Sequence, residues 1–390
     1  MTRHSRWKNL SASPVDLLTR MVEIYSPSQG EEELSQFLAT EMRNLGFHVR
    51  RDSVGNVIGQ LGESRPRILL CGHMDTVAPP LPVKVEDGIL YGRGAVDAKA
   101  PLAAMIVAAS ELAKEGFPGS ITVAGVIDEE GRSRGVLNLL KEGVEADYAI
   151  FGEPTAVDTI TMGYKGGITL QITCETETGH SSAPWLYLNS IEKALEIWAQ
   201  IREIRMLGEK PDSHFGSITT CLKKIEGGQA NNIVPSRCTI MLDTRIPPGV
   251  TVESYWAEVT KLIEGYRTQT PGVRVHLEII DKTEPYIAPT RSPLTKALAQ
   301  AIWSVRAKQV RLIYKTGTGD MNIYGHVTGK PTATYGPGDP HLDHTSEEHI
   351  NLQDYLDGIQ VLIEALRRLP AIDAEQRGKE SGKREQSREE

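Results

Sequence analysis

The chain has 390 residues, a formal net charge of −8 and 39% hydrophobic residues. This length exceeds what one hydrophobic core usually serves, so the sequence predicts two domains. The negative charge argues against nucleic acid and anionic membrane surfaces as partners, and no apolar run is long enough to span a bilayer. The four cysteines form no CxxC pair and the N-terminus lacks an apolar signal-peptide core, so we expect a cytoplasmic protein.

Residues 11–163 alternate between helix and strand signals. An amphipathic helix is predicted over residues 31–47, where apolar residues recur at helical spacing and Gly46 ends the pattern. Several of the runs that follow are apolar on both faces, as buried sheet strands are. The predicted strands are NVIGQ, RILLCG, ITVAGVI and YAIFG. The sequence therefore predicts an α/β fold with a central mixed sheet flanked by helices.

The pattern changes at residue 164. Residues 164–282 read strand, helix, strand, strand, helix, strand, which is the βαββαβ order of a ferredoxin-like unit. Helix and strand signals of the first kind return in residues 283–370. The tail, residues 371–390, is rich in charged and polar residues, and we expect it to be disordered.

Five imidazole or carboxylate side chains stand at the ends of predicted strands. They are His73 in GHMDTV, Asp97 in GRGAVDAK, Glu130 in DEEG, Glu153 in GEPT and His344 in LDHT. Imidazole and carboxylate are the usual nitrogen and oxygen ligands of zinc, and one carboxylate can bridge two ions. Any one of these residues could instead be a helix cap or a solvated loop residue. Their shared position after apolar strands favours a site for two divalent metal ions.

Two further acids have predicted roles beside this set. Glu129 cannot easily turn to the same metal as its neighbour Glu130, so it is placed to accept a proton from a water molecule as a general base. Asp75 stands two residues after His73, on the same side of an extended strand end, where its carboxylate can orient the imidazole. Because His344 must reach the cleft of His73, the first and third segments are expected to form one domain that the second interrupts.

These motifs, in this order and spacing, resemble the zinc-dependent metallopeptidase family that contains aminoacylases, carboxypeptidases, acetylornithine deacetylase and succinyl-diaminopimelate desuccinylase. The resemblance covers about residues 11–370. It implies that His73, Asp97 and Glu153 surround one metal, while Asp97, Glu130 and His344 surround the other. Zinc is the expected metal, although cobalt and manganese accept the same ligands.

The resemblance also implies roles for the interrupting domain, which serves relatives as a lid and dimerisation domain. His180 in GHSSAP would stabilise the oxyanion across a homodimer. Asn232 and Arg245 match substrate-binding positions, and a guanidinium suits a bidentate grip on a carboxylate, although Arg245 could instead form a rim salt bridge. Thr318 and Asp320, both in KTGTGDMN, are further candidate substrate-binding residues.

KTGTGDMN, YGPGD and LDHTSEEHI together are similar to the branch that hydrolyses amino-group carrier protein conjugates of lysine or ornithine. In that branch the substrate amide joins the amino acid to the C-terminal glutamate of the carrier, in lysine and arginine biosynthesis. Alternatives with the same metals are an acetylornithine or acetyllysine deacetylase, a succinyl-diaminopimelate desuccinylase and a dipeptidase. A non-catalytic amino-acid-binding protein is an alternative of another class, which the presence of Glu129 and every proposed ligand disfavours.

Overall fold

The computed structural model describes residues 13–210, 212–228 and 232–389, with side chains described as far as residue 378. The chain divides into two compact units. The first unit contains residues up to 162, residues 288–313 and residues from 327 onward, and the second contains 163–287 and 314–326. In the sequence, the second unit therefore interrupts the first.

The first segment of the chain alternates helices and strands. Its elements are α1 Pro14–Glu23, α2 Glu32–Asn44, β1 His48–Arg51, β2 Val57–Leu61, β3 Arg67–His73, β4 Lys84–Glu86, β5 Ile89–Tyr91, α3 Lys99–Lys114, β6 Ser120–Val126, α4 Arg134–Lys141, β7 Tyr148–Gly152 and β8 Thr159–Tyr164. Helix α1 begins with a capping box, in which Ser13 and Asp16 each accept a hydrogen bond from the other's backbone N–H. Helix α3 is buried over nearly its whole circumference, as expected of an apolar helix inside a layered domain.

The second unit contains a four-stranded antiparallel sheet in the order β10-β11-β9-β12. Its elements are β9 Gly166–Glu175, a 3₁₀ turn Pro184–Leu186, α5 Ser190–Ile201, β10 Thr219–Gly227, β11 Arg237–Ile246, α6 Val252–Gln269, β12 Arg274–Thr283 and β13 Tyr286–Ile287. Alternate residues of β11 are buried and join a core with α5 and α6. The succession from β9 to β12 is the βαββαβ order of a ferredoxin-like unit.

The remaining chain holds α7 Pro293–Arg306, β14 Arg311–Lys315, α8 Asp320–Thr328, β15 Thr332–Thr334, β16 His349–Asn351 and α9 Leu352–Glu389. Strand β15 joins the sheet of the first unit between β7 and β8. Helices α7 and α9 pack against each other, and α9 also packs against α3. No helix in the described part of the chain combines the length and apolar character needed to cross a membrane.

The sheet of the first unit runs in the order β1-β2-β6-β3-β7-β15-β8. Strands β6, β3, β7 and β15 are parallel neighbours, whereas β1, β2 and β8 join antiparallel. Strand β3 is buried on both faces beyond its first residue, which explains its continuous apolar sequence. The predicted α/β class with a central mixed sheet flanked by helices is confirmed.

Two stretches differ from the organisation expected from the sequence. Residues 314–326 group with the second unit, where the Asn322 amide donates to the carbonyl oxygens of Lys165 and Glu284. The segment from Ala371, expected to be disordered, continues helix α9. The Asp373 carboxylate explains its attachment, because it accepts hydrogen bonds from the Tyr148 hydroxyl at 2.6 Å and from Arg377 at 2.9 Å.

All four cysteines are free. Cys71, Cys174 and Cys238 are buried, whereas Cys221 on strand β10 is exposed. The exposed Cys221 faces outward from the edge strand of its sheet.

Candidate metal centre

Three neighbouring parallel strands deliver four of the predicted site residues to one edge of the central sheet. His73 ends β3, the acids Glu129 and Glu130 follow β6, and Glu153 directly follows β7. The carboxyl ends of parallel strands lie at the same edge, which is where open α/β sheets place their ligands. The apolar strands therefore bring polar side chains together that are far apart in sequence.

Asp97 lies between the two predicted histidine ligands. Its Oδ1 is 3.0 Å from Nε2 of His73, and its Oδ2 is 3.1 Å from Nε2 of His344. Nε2 of His344 also lies 2.8 Å from Oε1 of Glu130. One carboxylate thus faces both imidazoles with separate oxygens, which is the arrangement expected of a bridging ligand.

The remaining acids complete two overlapping groups of donor atoms. In each group, every residue contributes one donor atom, and the three atoms lie within 4.8 Å of one another. The first group is His73, Glu129 and Glu153, and the second is His73, Asp97 and Glu130. Oε1 of Glu153 is 3.7 Å from Nε2 of His73. Glu129, predicted as a base and not as a ligand, is therefore close enough to the first group to reach a molecule bound there.

Asp75 holds the turn that carries Glu129 and Glu130. Its two carboxylate oxygens accept hydrogen bonds from the backbone N–H groups of Glu129 at 3.0 Å and Glu130 at 3.1 Å, and from the Ser28 hydroxyl at 2.7 Å. Nδ1 of His73 lies 2.9 Å from the backbone carbonyl of Asp75 but 3.5 Å from its carboxylate. The main-chain carbonyl, not the carboxylate expected from the sequence, is thus the closer partner of the imidazole.

A second buried acid supports the same turn. Oε1 of Glu31 accepts a hydrogen bond from the backbone N–H of Asp128 at 3.1 Å, and the residue is only 5% exposed. Burial raises the pKa of Glu31 despite the backbone N–H groups that face it. Asp128 has a positive φ of 62°, an uncommon conformation for a residue with a side chain. Nothing in the sequence distinguishes Glu31 from the exposed acids at the start of α2.

The electrostatic field of the cluster is strongly negative. Burial of His73 opposes its protonation, but its interactions with Asp75, Asp97 and Glu153 outweigh this and raise its pKa well above the usual value. Hydrogen bonds with Asp97 and Glu130 raise the pKa of His344 to about 10. Burial of Asp97 raises its pKa, but the two imidazoles more than compensate and the net shift is downward. The cluster therefore attracts positive charge.

The donor set fits divalent metal ions. It offers two imidazole nitrogens and several carboxylate oxygens, the donors that zinc, cobalt and manganese share. Five carboxylates, those of Asp75, Asp97, Glu129, Glu130 and Glu153, meet only two imidazoles in this site. Bound cations would compensate the surplus negative charge, and the ligands would release their protons on binding.

The other five predicted residues lie in the second unit, where the structure brings four of them together in two pairs. Nδ1 of His180 accepts from the backbone N–H and the hydroxyl of Ser182 at 3.1 and 2.8 Å. The neighbouring Ser181 N–H donates to the carbonyl of Asn232, so His180 and Asn232 stand on adjacent backbone segments. Both His180 and Asn232 are exposed.

Arg245 and Thr318 form the second pair. The Arg245 guanidinium donates to the Thr318 hydroxyl at 3.2 Å and to the Asp243 carboxylate at 2.9 Å. Asp320, at the start of α8, is buried at 4% exposure. The contact with Asp243 is the salt bridge that the sequence left open as an alternative for Arg245.

A buried cation that was not predicted from the sequence lies beside this pair. Lys165 is fully buried, and its ammonium donates to the carbonyls of His214 and Ser217 and to the Thr219 hydroxyl, at 3.1, 2.5 and 3.2 Å. Burial, together with the nearby charge of Arg245, lowers the pKa of Lys165 to about 8. A lysine between strands carries no sequence signal of burial.

Known proteins resemble this chain over most of its length. The chain matches the model of peptidase family M20/M25/M40 over residues 69–368. A Saccharolobus solfataricus protein named LysW-lysine/LysW-ornithine hydrolase is 33% identical over 358 residues, covering 91% of this chain and 95% of the relative. A Thermococcus kodakarensis protein that provisionally carries the same name is 36% identical over 375 residues, covering 96% of this chain and 97% of the relative.

Solved structures share the fold at lower identity. The M20 family metallo-carboxypeptidase Sso-CP2 from Sulfolobus solfataricus matches with a TM-score of 0.78 and 18% identity, covering 92% of this chain and 100% of that one. The Bacillus subtilis YXEP protein, described as a dinuclear metal-binding peptidase of the M20 family, matches with a TM-score of 0.67 and 13% identity, covering 92% and 98%.

Proposed function

Because this chain belongs to the M20/M25/M40 peptidase family, we propose that it is a two-metal amidohydrolase that releases lysine or ornithine from an amino-group carrier protein. The observation that carries the chemistry is Asp97 between the imidazoles of His73 and His344, with Glu129 beside them. The names of the relatives support the substrate, an amide between the amino acid and the C-terminal glutamate of the carrier. The enzyme would serve lysine or arginine biosynthesis in the cytoplasm.

Five residues would hold the two cations. We assign one ion to His73, Asp97 and Glu153 and the other to Asp97, Glu130 and His344, with zinc as the first choice and cobalt as the second. When bound, two such ions lower the pKa of a water molecule and polarise the scissile carbonyl. The close approach of these side chains supports the assignment.

Glu129 would be the general base. Its backbone is fixed by the bond from its N–H to Asp75, and its carboxylate lies within 4.8 Å of donor atoms of His73 and Glu153. From there the carboxylate would take the proton of the attacking water and return it to the leaving amine, which then departs as the free amino group of lysine or ornithine. Asp75 contributes by fixing the turn, so it is a positioning residue.

The second unit would supply the groups that recognise the substrate. The guanidinium of Arg245 suits a carboxylate, and Thr318 already contacts it. We also assign Asn232 and Asp320 to substrate binding. His180 would stabilise the oxyanion, acting across a homodimer in which this unit serves as lid and dimerisation domain.

Substrate preference is the decisive test of the proposal. The protein, freed of metal with a chelator and reloaded with zinc or cobalt, is given carrier-lysine conjugate, carrier-ornithine conjugate, acetyl-lysine, acetylornithine and succinyl-diaminopimelate. We expect the highest kcat/KM for a carrier conjugate and no turnover before reloading. A higher kcat/KM for a small acyl compound would replace the carrier hypothesis by a deacylase or desuccinylase.

The action of His180 across subunits has its own test. His180→Ala and Glu129→Gln proteins, each nearly inactive alone, are mixed and allowed to exchange subunits. If His180 serves the partner's site, one site of each mixed dimer holds both intact residues, so activity recovers on mixing. Mixed dimers without recovery would contradict the role. Ser182→Ala, which removes a hydroxyl bonded to His180, serves as a milder variant.

A further inference from the structure

One buried carboxylate accepts hydrogen bonds from several backbone N–H groups of the loop that carries Asp97. Glu348 is 1% exposed and stands one residue before β16. Its Oε1 accepts three backbone hydrogen bonds, from Gly94 at 2.9 Å, Val96 at 3.0 Å and Asp97 at 3.1 Å. The loop thus wraps around a single oxygen atom, and the last of its three N–H groups belongs to the bridging residue itself.

Arg93 binds the second oxygen of the same carboxylate. Its Nη1 donates to Oε2 of Glu348 at 2.8 Å and to the carbonyl of Thr345 at 3.0 Å, and its Nε donates to the carbonyl of Pro79 at 3.1 Å. Thr345 directly follows His344. Arg93 therefore fixes the segment of one ligand, while Glu348 fixes the loop of the other.

Each of the two segments holds the other in place through hydrogen bonds. Arg93 belongs to the loop of Asp97 and holds the segment of His344, whereas Glu348 belongs to the segment of His344 and holds the loop of Asp97. Each tether ends within one residue of a predicted metal ligand. The distance between Asp97 and Nε2 of His344, 3.1 Å, depends on how these two segments are held.

Fold stability alone is a weak reason for such a pair. Burying an arginine and a glutamate removes both from water, and this cost often equals or exceeds the attraction between them. An apolar pair of similar volume would pack the same space, but it could not accept three N–H groups or donate to two carbonyls. The bonds define the position of the backbone, which is what a ligand loop requires.

We propose that Arg93 and Glu348 are positioning residues that set the separation of Asp97 and His344 and thereby the affinity for the ion those two residues share. The inference rests on the two-metal site of the proposed function, but not on its substrate. Neither residue contacts the reacting atoms. Both act through the backbone of the ligand segments.

Glu348→Gln tests the inference while preserving size. The amide oxygen could still accept the three N–H groups, but its NH₂ would then face the Arg93 guanidinium, donor against donor. One of the two segments must therefore move. Glu347→Gln is the matched control, because Glu347 is the exposed neighbour of Glu348 in the same segment.

The readouts are metal affinity, measured by competition with a chelating dye, the visible spectrum of the cobalt-loaded protein, and the thermal midpoint without metal. We expect Glu348→Gln to weaken the affinity for one of the two ions about 10- to 100-fold, the usual effect of losing an outer-shell partner, and to alter the cobalt spectrum. Glu347→Gln should leave both unchanged. A lowered thermal midpoint with unchanged affinities and spectrum would show a purely structural role and overturn the inference.

Arg93→Lys provides a second variant if Glu348→Gln does not fold. Lysine keeps a positive charge next to Glu348 but cannot reproduce the fork that also reaches Thr345 and Pro79, so a smaller loss of affinity for the same ion is expected. Wild-type affinities in Arg93→Lys would then overturn the inference. A wild-type protein that binds no divalent ion would instead contradict the metal-dependent function itself, so the two failures can be told apart.

Discussion

Nε2 of His344 lies 3.1 Å from Oδ2 of Asp97, although the two residues come from the first and last segments of an interrupted unit. The contact is one of several by which these segments meet in the candidate site, together with that between His344 and Glu130. Like Asp97, His344 is a predicted ligand that none of the strands β3, β6 and β7 delivers. Its loss should therefore affect one ion and leave the rest of the cluster in place.

His344→Ala is expected to remove a ligand of one ion while sparing the other. Loss of a residue that only hydrogen-bonds a metal ligand typically lowers metal affinity about 10- to 100-fold. Loss of the ligand His344 itself should lower the affinity for that ion by more than this. Titration of the metal-free protein with zinc or cobalt measures both sites. His341→Ala is the control, since His341 is exposed and bonds to Asp339 instead of the cluster. Equal two-ion binding by His344→Ala and wild type would contradict the ligand role.

Glu129→Gln is expected to keep both metals and lose activity. A glutamine cannot take a proton from water, and the loss of a general base typically lowers kcat by a factor on the order of 10² to 10⁴. Metal content by elemental analysis and kcat on a carrier conjugate are measured on the same sample. Unchanged turnover would refute the base role, and metal loss would indicate that Glu129 is a ligand.

Asp75→Asn should lower activity by about 10- to 100-fold, the range seen for outer-shell partners. The asparagine NH₂ would face the N–H of Glu129 or Glu130, so the turn that carries both residues loses one of its two anchors. Ser28→Ala is the graded comparison, because it removes only one hydroxyl bond to Asp75. If Ser28→Ala were as damaging as Asp75→Asn, the backbone bonds would not be the important ones.

Lys165 predicts a pH dependence of stability. Its folded-state pKa of about 8 lies below the ordinary value of 10.5, so between these values the unfolded chain binds a proton that the folded protein lacks. The free energy of unfolding should therefore rise with pH across this window, by about 1.4 kcal/mol for each unit by which folding lowers the pKa of Lys165. The cost of burying the charged ammonium is largest below pH 8. Lys165→Met removes this titration.

The measurement for Lys165 is the unfolding midpoint of the metal-free proteins from pH 7 to pH 10.5. The difference in favour of wild type over Lys165→Met should grow as pH rises through about 8. Lys210→Met, a lysine change at an exposed position in the same unit, controls for the loss of a lysine as such. A difference that stays constant with pH would show that Lys165 titrates normally.

The strand-end residues were predictable because their signal is periodic and local. An apolar run followed by a histidine or acid indicates a sheet edge, and this rule places His73, Glu130 and Glu153 together without knowledge of any contact. The structure brings His344 and Asp97 to the same place. Their assignment as ligands stays a prediction that the metal titrations test.

The supporting acids were not predictable in the same way. Glu348 and Glu347 are identical in type and adjacent in sequence, yet one is buried beneath three backbone N–H groups and the other is exposed. Glu31 likewise stands next to the exposed Glu32. Which acid is buried depends on the position of a loop from a distant part of the chain. The neighbouring residues in the sequence do not indicate where that loop lies.

The continuation of helix α9 into the C-terminal segment has a physical explanation. The low apolar content of this segment suggested disorder, but Glu, Lys, Arg and Gln are good helix formers, and a helix already packed against the protein can extend through them. Asp373, bonded to Tyr148 of strand β7, attaches the first turn beyond Ala371. A single polar contact of this kind cannot be predicted from composition.

The position of β15 between β7 and β8 has a consequence for biosynthesis of the chain. A ribosome that has completed the second unit as far as Ile287 has already made β7 and β8 but not the strand that separates them. His344 and Glu348 emerge later still. The sheet therefore cannot be complete at that stage, and the candidate metal centre can be completed only after translation has passed β15 and reached the segment of His344.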